Sequence, residues 1–177
     1  MSLFYITGPT AAGKTTVRDK LRDLGYEAHD TDENGICLHY SRKTGERIEY
    51  PNDPALRTPD WHADHEYKMS RDRIEELSLT AQSKPVFLCG AALNDLELKE
   101  YFEKIICLVI DLESVKQRLG SRKTNSFGKA PDELVGIIER HDAVIDKYRA
   151  AGAVMVSTNK PERDVISDIL EITQVSS

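Results

Sequence analysis

The amino-acid sequence predicts a single α/β domain in which helices flank five parallel strands. Short apolar runs recur at residues 3–6, 26–29, 86–89, 104–110 and 153–157, the second being the weakest. These runs are continuous rather than alternating, which is typical of strands covered on both faces. Segments of helical length separate most of them, as crossover connections between parallel strands require. A chain of 177 residues is long enough for one such core.

The segments between the runs carry two kinds of helix signal, capping residues and apolar periodicity. Val17, Leu21 and Leu24 fall on one face of a segment that ends at a glycine, a common helix terminator. Another segment begins with Pro131 and two acids, which suit the positive end of a helix dipole, and its His141 is expected on the surface. Helices are therefore predicted at residues 14–25, 64–82, 131–152 and 160–173.

Composition and charge argue against several classes of protein. The net charge is −6, with 24 lysines and arginines against 30 acids, whereas nucleic-acid surfaces need clustered cations. No apolar stretch reaches the roughly 20 residues of a membrane span, and the start lacks signal-peptide features, so we expect a cytoplasmic protein without membrane contact. The three cysteines lack CxxC spacing, and we expect neither a disulfide nor a cysteine metal site. The sequence leaves the oligomeric state open.

The eight residues GPTAAGKT, at positions 8–15, match the pattern G-x-x-x-x-G-K-[ST]. They follow the first predicted strand and begin the first predicted helix, which is the structural context of a phosphate-binding loop, or P-loop. A chance match in a chain of this length is expected in roughly 1% of cases. The alternative is a glycine-rich turn that caps a helix. The pattern predicts that ATP and Mg²⁺ are bound by Gly8, Pro9, Thr10, Ala11, Ala12, Gly13, Lys14, Thr15 and Thr16.

The polar residues of this loop have distinct predicted roles. The glycines let successive backbone N–H groups point at phosphate oxygens, and the start of the helix adds the positive end of its dipole. Lys14 is long enough to reach the β- and γ-phosphates, which makes it a candidate catalytic residue. The Thr15 hydroxyl is placed to bind Mg²⁺, and Thr16 faces the α-phosphate.

Two aspartates follow the second predicted strand. Asp30 and Asp32 lie at the edge where the carboxyl ends of parallel strands meet, and open α/β sheets bind their ligands there. Phosphoryl transfer needs carboxylates near the metal and near the nucleophile. The alternative is that both aspartates cap a turn, which is a common role of this residue type.

Residues 33–63 form a predicted insertion between the second strand and the next helix. The segment contains three prolines and many polar turn residues. Unstructured loops of this length are uncommon in compact domains unless they have a function, so we expect the insertion to lie over the sheet edge. A hairpin is predicted at about residues 42–47. The alternative is that the insertion is a family-specific addition without a function.

The insertion contains two groups of side chains that could contact a substrate. Arg42, Lys43 and Arg47 either meet an anionic acceptor or form a charged hairpin tip. The segment WHADH contains Trp61, which is expected to anchor the start of a helix, with substrate contact as the alternative. A zinc site is not expected from its two histidines, because such a site normally needs three or four ligands.

The basic cluster of the chain lies at residues 116–123. A helix that reaches Arg118 leads into Arg122, and small polar residues follow. A segment that closes over the phosphates would exclude water and add positive charge to the transition state. We therefore predict a lid at about residues 120–131, with Arg122 as a catalytic residue and Arg118 as a nucleotide ligand, because arginine contacts two phosphate oxygens at once. A solvated basic face is the alternative.

Motifs beyond the P-loop are spread over most of the chain: DTD at 30–32, LCGAA at 88–92, RLGSRK at 118–123 and STNKPERDV at 157–165. Together with GPTAAGKTT, they resemble P-loop kinases of the nucleoside/nucleotide kinase-like group, especially shikimate kinase and gluconate kinase. The resemblance implies a three-layer P-loop NTPase fold. Its five-stranded parallel sheet is flanked by helices, and a lid and an inserted substrate-side segment are added.

The resemblance also implies roles for individual residues. Asp30 would assist Mg²⁺ through water, and Asp32 would orient or deprotonate the acceptor hydroxyl. Gly90 ends the third strand, where many P-loop proteins carry an aspartate, and this favours the shikimate kinase-like branch. The loop that packs on the nucleotide base would contain Asn159, Lys160 and Pro161.

Two functional hypotheses follow. The first is an ATP-dependent kinase whose acceptor is a small hydroxylated molecule, such as a nucleoside or a sugar acid, bound between the insertion and Gly90. The second is a nucleotide-binding switch or regulatory ATPase without an acceptor, which could use the same P-loop. The sequence NKPE at 159–162 half-matches the guanine-reading motif N-K-x-D, so the choice between ATP and GTP stays open.

Overall fold

The computed structural model of the protein describes residues 2–56, 58–121 and 131–175. In chain order, its strands are β1 (Leu3–Thr7), β2 (Glu27–Asp30), β3 (Cys37–Ser41), β4 (Arg47–Ile48), β5 (His65–Met69), β6 (Val86–Cys89), β7 (Lys104–Val109) and β8 (Val154–Ser157). Its helices are α1 (Lys14–Asp23), α2 (Pro59–Asp64), α3 (Arg71–Thr80), α4 (Leu112–Ser121), α5 (Pro131–Ala150) and α6 (Glu162–Thr173). Among these residues, none of the helices combines the length and the apolar character needed to cross a bilayer.

Five strands form a parallel sheet in the order β2-β6-β1-β7-β8. The central strand, β1, pairs with β6 on one side and β7 on the other, so that Tyr5 lies between Leu88 and Ile105. This sheet confirms the predicted α/β class, and its strands agree with the five apolar runs to within a residue or two. The carboxyl ends of all five strands meet at one edge, where ligands bind in sheets of this type.

Apolar side chains cover the parallel sheet on both faces. Phe4 and Ile6 contribute to a core that includes residues of α1, α4 and α6. Leu3 and Tyr5, which alternate with them along β1, contribute to a second core with residues of α3 and the C-terminal part of α5. Burial on both faces explains the continuous apolar runs at residues 3–6 and 86–89.

Helix α1 follows the predicted periodicity in part. Val17 and Leu21 are buried against the sheet, as expected. Leu24 is 55% exposed because the helix ends at Asp23, before the apolar face reaches it. The expectation that Leu24 shares the buried face is therefore wrong.

A second, antiparallel sheet with the strand order β4-β3-β5 follows β2. Its β3–β4 hairpin confirms the turn predicted near residues 42–47. The helix predicted at residues 64–82 is wrong over its first part, because His65–Met69 is a strand paired with β3 and only Arg71–Thr80 is helical. The inserted structure therefore extends to Met69, beyond the predicted limit of residue 63.

Helix α5 spans Pro131–Ala150, close to the prediction, but His141 does not lie on the surface. Its side chain is buried, with Nε2 2.8 Å from the Ile110 carbonyl oxygen and Nδ1 2.8 Å from an oxygen of Asp142. The surface expectation for His141 is wrong because this ring attaches α5 to the residue that follows β7.

A buried carboxylate connects the segment after β6 to α5. Asp95 is fully buried and accepts hydrogen bonds from the hydroxyl of Tyr5 at 3.1 Å and from that of Tyr148. Its other oxygen pairs with the Lys147 ammonium at 2.8 Å. Burial of the two phenols, together with the nearby Asp95 charge, raises the pKa of both tyrosines, so they remain hydrogen-bond donors at neutral pH.

Candidate active site

The P-loop at residues 8–13 connects β1 to α1 at the carboxyl edge of the parallel sheet. Gly8 has a φ of 142°, and a Cβ atom there would lie 2.4 Å from the Leu108 carbonyl oxygen. Only glycine therefore fits between the loop and β7. Helix α1 begins directly after Gly13 and has no acid in its first turn, so its positive end is available to an anion.

The Lys14 ammonium lies at the inner side of this loop. Its Nζ donates hydrogen bonds to the carbonyl oxygens of Gly8 and Pro9, each at 2.8 Å. These two residues thus position the cation that the sequence assigns to the β- and γ-phosphates. A phosphate oxygen near Nζ would replace one of these neutral carbonyl acceptors. Because the phosphate oxygen is charged, it would bind the ammonium more strongly.

A cavity of about 540 Å³ opens beside the P-loop. Thr15 and Thr16 line it, and both residues are exposed. Val165 of α6 adds apolar surface to the same wall. The full lining consists of residues 10–17 with Arg118, Thr158, Lys160, Glu162 and Val165. The volume and the mixture of polar and apolar surface suit a small organic phosphate.

Arg118 joins three parts of this cavity. It lies on α4, and its guanidinium donates to the carbonyl oxygen of Ala11 at 3.1 Å and to that of Thr158 at 2.6 Å. The side chain therefore fixes the P-loop relative to the residue that follows β8. The structure places Arg118 in the predicted nucleotide site, whereas Arg122 and most of the predicted lid lie outside the described residues.

The predicted base-binding residues have different positions in the structure. Lys160 lines the cavity and forms an ion pair with Asp168 of α6. Asn159 is exposed, and its Oδ1 lies 3.4 Å from the backbone nitrogen of Asp111. Pro161 precedes α6 and accepts hydrogen bonds from the first turn of that helix. Of these three, Lys160 is the residue that faces the cavity.

Asp30 ends β2 and is held by an arginine that the sequence did not single out. Its Oδ2 lies 2.9 Å from the Arg18 guanidinium, and its Oδ1 accepts the backbone N–H of Asp32 at 3.1 Å. Burial raises the pKa of Asp30, although Arg18 opposes the shift. Nowhere in the described part of the chain do three or more His, Cys, Asp or Glu side chains form a group that could hold a metal ion.

Asp32 is exposed, and a tyrosine orients its carboxylate. The hydroxyl of Tyr67, on β5, donates to Asp32 Oδ1 at 2.5 Å and lies 3.3 Å from the Thr31 carbonyl oxygen. Burial and the hydrogen bond to Asp32 raise the pKa of Tyr67, so the phenol keeps its proton at neutral pH. The inserted sheet therefore supplies a partner for the predicted catalytic aspartate.

Gly90 lies between the P-loop and the two aspartates. Its N–H donates to the Ile6 carbonyl at 3.0 Å, and its own carbonyl accepts the Tyr5 hydroxyl at 3.2 Å. A Cβ atom at this position would lie 1.9 Å from the Oγ1 of Thr31. The close approach of Gly90 to Thr31 sets the distance between β6 and the residue that precedes Asp32.

Comparison with known proteins identifies the architecture. No protein-family model and no curated protein matches the sequence. The structure of shikimate kinase from Acinetobacter baumannii in complex with shikimate has a TM-score of 0.59, 23% identity, and coverage of 98% of this chain and 93% of that one. For shikimate kinase from Aquifex aeolicus the values are 0.58, 19%, 97% and 96%. This chain has the shikimate kinase fold.

A sugar kinase from Janibacter sp. is also similar, with a TM-score of 0.54, 14% identity, and coverage of 99% of this chain and 96% of that one. The shikimate kinase fold thus spans nearly the whole chain and confirms the resemblance seen in the sequence motifs. At these identities the likeness establishes the fold, and the chemistry has to be argued from the residues.

Three residues that the sequence did not single out complete this site in the shikimate kinase fold. Arg18 binds Asp30, Tyr67 binds Asp32, and Thr158 binds Arg118. Arg18 could have been found, because it lies on α1, the helix that directly precedes β2 and Asp30 in the chain. Tyr67 could not, because its segment was predicted to be helical.

Proposed function

We propose that this protein is a small-molecule kinase that transfers a phosphoryl group from Mg-ATP to a hydroxyl group of a cytoplasmic metabolite. One observation carries the proposal: the Asp32 carboxylate, oriented by Tyr67, follows β2, and only β6 lies between β2 and the strand that leads into the P-loop with Lys14. A carboxylate in that position is what a hydroxyl nucleophile requires. The fold shared with shikimate and sugar kinases supports the same reaction class.

The nucleotide side of the proposed reaction uses the P-loop and its cavity. Backbone N–H groups of the loop and the start of α1 would bind the phosphates, with Lys14 adding a full positive charge. The residues fit Mg²⁺, because this ion keeps most of its waters and needs only one or two protein ligands. Thr15 would bind it directly, and Asp30 would bind its waters. When bound, Mg²⁺ neutralises charge on the phosphate oxygens.

The acceptor side of the proposed reaction depends on Asp32. Its carboxylate would accept a hydrogen bond, and later the proton, from the attacking hydroxyl. Tyr67 keeps that carboxylate in one orientation, because its phenol retains its own proton and donates a hydrogen bond to Asp32 Oδ1. Arg118, Arg122 and Lys160 would add positive charge around the nucleotide.

The decisive experiment measures ADP release with and without Mg²⁺, over a panel of nucleosides, sugar acids and other alcohols. The variant Asp32→Asn keeps an oxygen for the Tyr67 hydroxyl but cannot accept a proton. We expect it to lose about 10²- to 10⁴-fold in turnover while binding of ATP is unchanged. The control, Asp146→Asn, removes an exposed carboxylate on α5 and should leave turnover at the wild-type rate.

The same assay separates a kinase from a nucleotide-dependent switch. A switch would hydrolyse ATP at a basal rate that no acceptor stimulates and that Asp32→Asn does not change. If every acceptor leaves the basal rate unaltered, the kinase proposal is wrong.

A further inference from the structure

The small antiparallel sheet has two chemically different faces. Residues directly opposite each other in an antiparallel pair share a face, and successive residues alternate. His39 lies opposite both Tyr67 and Ile48, whereas Tyr40 lies opposite Glu66 and Arg47. One face therefore carries Cys37, His39, Ser41, Ile48, His65, Tyr67 and Met69, and the other carries Leu38, Tyr40, Arg47, Glu66 and Lys68.

The first of these faces adjoins Asp32, since the Tyr67 hydroxyl donates a hydrogen bond to that carboxylate. Rings continue from Tyr67 across the face, with the His39 ring centroid 4.8 Å away. Tyr50 stacks on His39 at 4.7 Å with an angle of 19° between the planes, and Trp61 meets His39 edge-on at 5.3 Å. We call His39, Tyr50, Trp61 and Tyr67 the aromatic wall.

The aromatic wall retains exposed ring surface. Tyr50 is 42% exposed, and the other three rings are half-buried. Burial, together with the neighbouring His62 and His65, lowers the pKa of His39, so its imidazole is neutral at pH 7. Among the described side chains, no lysine or arginine lies on this face of the sheet.

The cations predicted to meet an anionic acceptor have other positions. Arg42 pairs with Glu66 at 2.6 Å, and Lys43 is exposed in the turn between β3 and β4. Arg47 lies on the opposite face of the sheet, across from Tyr40. A phosphoryl acceptor with a carboxylate would therefore meet aromatic rings rather than cations on this face of the sheet. An uncharged planar ring could instead stack on those aromatic rings.

We infer that the acceptor is an alcohol with an uncharged planar ring, as in a nucleoside, whose ring stacks on the aromatic wall while its hydroxyl lies at Asp32. The inference rests on the proposed kinase function and narrows its substrate class. Stacking tolerates any planar heterocycle, so the aromatic wall selects the class of compound rather than one base.

Trp61 provides a direct test, because it is the single tryptophan of the sequence. The protein is first saturated with Mg-ADP, so that added compounds cannot enter the nucleotide cavity. Its tryptophan fluorescence is then titrated with adenosine, guanosine, cytidine and uridine, and in parallel with gluconate. We expect saturable quenching by at least one nucleoside and no change with gluconate.

Variants on the two faces of the sheet make the test specific. Tyr50→Ala should weaken nucleoside binding about tenfold, the loss expected when one stacking ring is removed, and Tyr50→Phe should restore it. Tyr50 is exposed enough that the variant should fold, which thermal unfolding checks. Tyr40→Ala, on the other face of the sheet, should bind nucleoside like the wild type.

Two results would overturn the inference: no nucleoside quenches the fluorescence, or Tyr50→Ala binds as tightly as the wild type. These results are distinct from failure of the kinase proposal. Quenching that depends on Tyr50, without phosphoryl transfer to any alcohol, would support the ring-binding site and refute the kinase. Phosphorylation of gluconate without any nucleoside binding would do the reverse.

Discussion

A methyl group added to Gly90 would collide with the side chain of Thr31. The new Cβ would lie 1.9 Å from Oγ1, 2.5 Å from Cγ2 and 2.7 Å from Cβ of that residue. Thr31 is 2% exposed, so its side chain cannot rotate out to solvent. The φ of Gly90 is +156°, a backbone conformation that residues with a side chain rarely adopt. The variant Gly90→Ala therefore carries two costs, a steric one and a conformational one.

The size of the effect follows from these two costs. Overpacking of a filled site costs about 1–3 kcal/mol. An unfavourable backbone conformation costs about 1–3 kcal/mol more. We expect Gly90→Ala to lower the free energy of unfolding by about 4 kcal/mol, against about 5–15 kcal/mol for a whole domain. For a chain of this size the melting temperature should fall by about 8–16 °C.

Urea unfolding measures the change, provided that wild type and variant have the same m value. Gly152→Ala is the matched control, because Gly152 has a φ of +82° and no heavy atom within 4 Å of the added Cβ. It should lose only about 1–2 kcal/mol, the cost of the left-handed backbone. The difference between the two variants isolates the collision with Thr31.

A second variant checks the assignment to Thr31. Thr31→Gly removes all three atoms that the new methyl group would meet, so the double variant Gly90→Ala/Thr31→Gly should recover the steric part of the loss. Equal losses in Gly90→Ala and Gly152→Ala would refute the reasoning. So would a cycle in which the two changes are additive.

Three further outcomes are expected. Lys14→Ala should weaken binding of Mg-ATP at least tenfold in calorimetry while thermal unfolding shows that the variant remains folded, and unaltered affinity would contradict the P-loop assignment. Asp95→Asn should lower the free energy of unfolding by roughly 3 kcal/mol in urea, because Lys147 loses a buried partner. The hydrogen bond from Arg22 lowers the pKa of Glu33, which means that ionised Glu33 stabilises the folded protein. This stabilisation is present above the ordinary pKa of glutamate, about 4.3, and is lost as the pH falls further. Glu33→Gln should therefore flatten the fall in stability below about pH 4.3, and an unchanged acid profile would show that the ion pair contributes nothing.

The parallel sheet could be predicted because the burial of a strand is reflected in its own sequence. Strands β1 and β6 are buried at every residue, so a continuous apolar run is sufficient to identify them, whereas the edge strands β2 and β8 are only partly buried. Strand β5 gives no such signal, since the segment HEYKM becomes a strand through pairing with β3. His141 was misplaced for a similar reason, because its carbonyl partner, Ile110, lies 31 positions earlier in the chain.

The residues of the candidate site also fall into two groups, those that a local pattern identifies and those that are brought together only by the fold. The P-loop is contiguous in sequence, and its glycines, lysine and threonines could be located by their spacing alone. The contact between Asp32 and Tyr67 spans 35 positions, and the one between Arg118 and Thr158 spans 40. Such contacts depend on how the chain returns to the sheet edge, which local patterns do not encode.

The small antiparallel sheet leaves and rejoins the main body at neighbouring points. Cys37 and Met69 are paired across its base, the Cys37 N–H donates to the Thr31 carbonyl at 2.9 Å, and the Ser70 N–H donates to the Ile36 carbonyl at 2.8 Å. The entropy of closing a loop grows only slowly with its length, so segments of different length can be exchanged between these two positions at small cost. Under the proposed function, the segment that recognises the acceptor could thus be exchanged, by evolution or by design, while the proposed nucleotide-binding part of the chain is left intact.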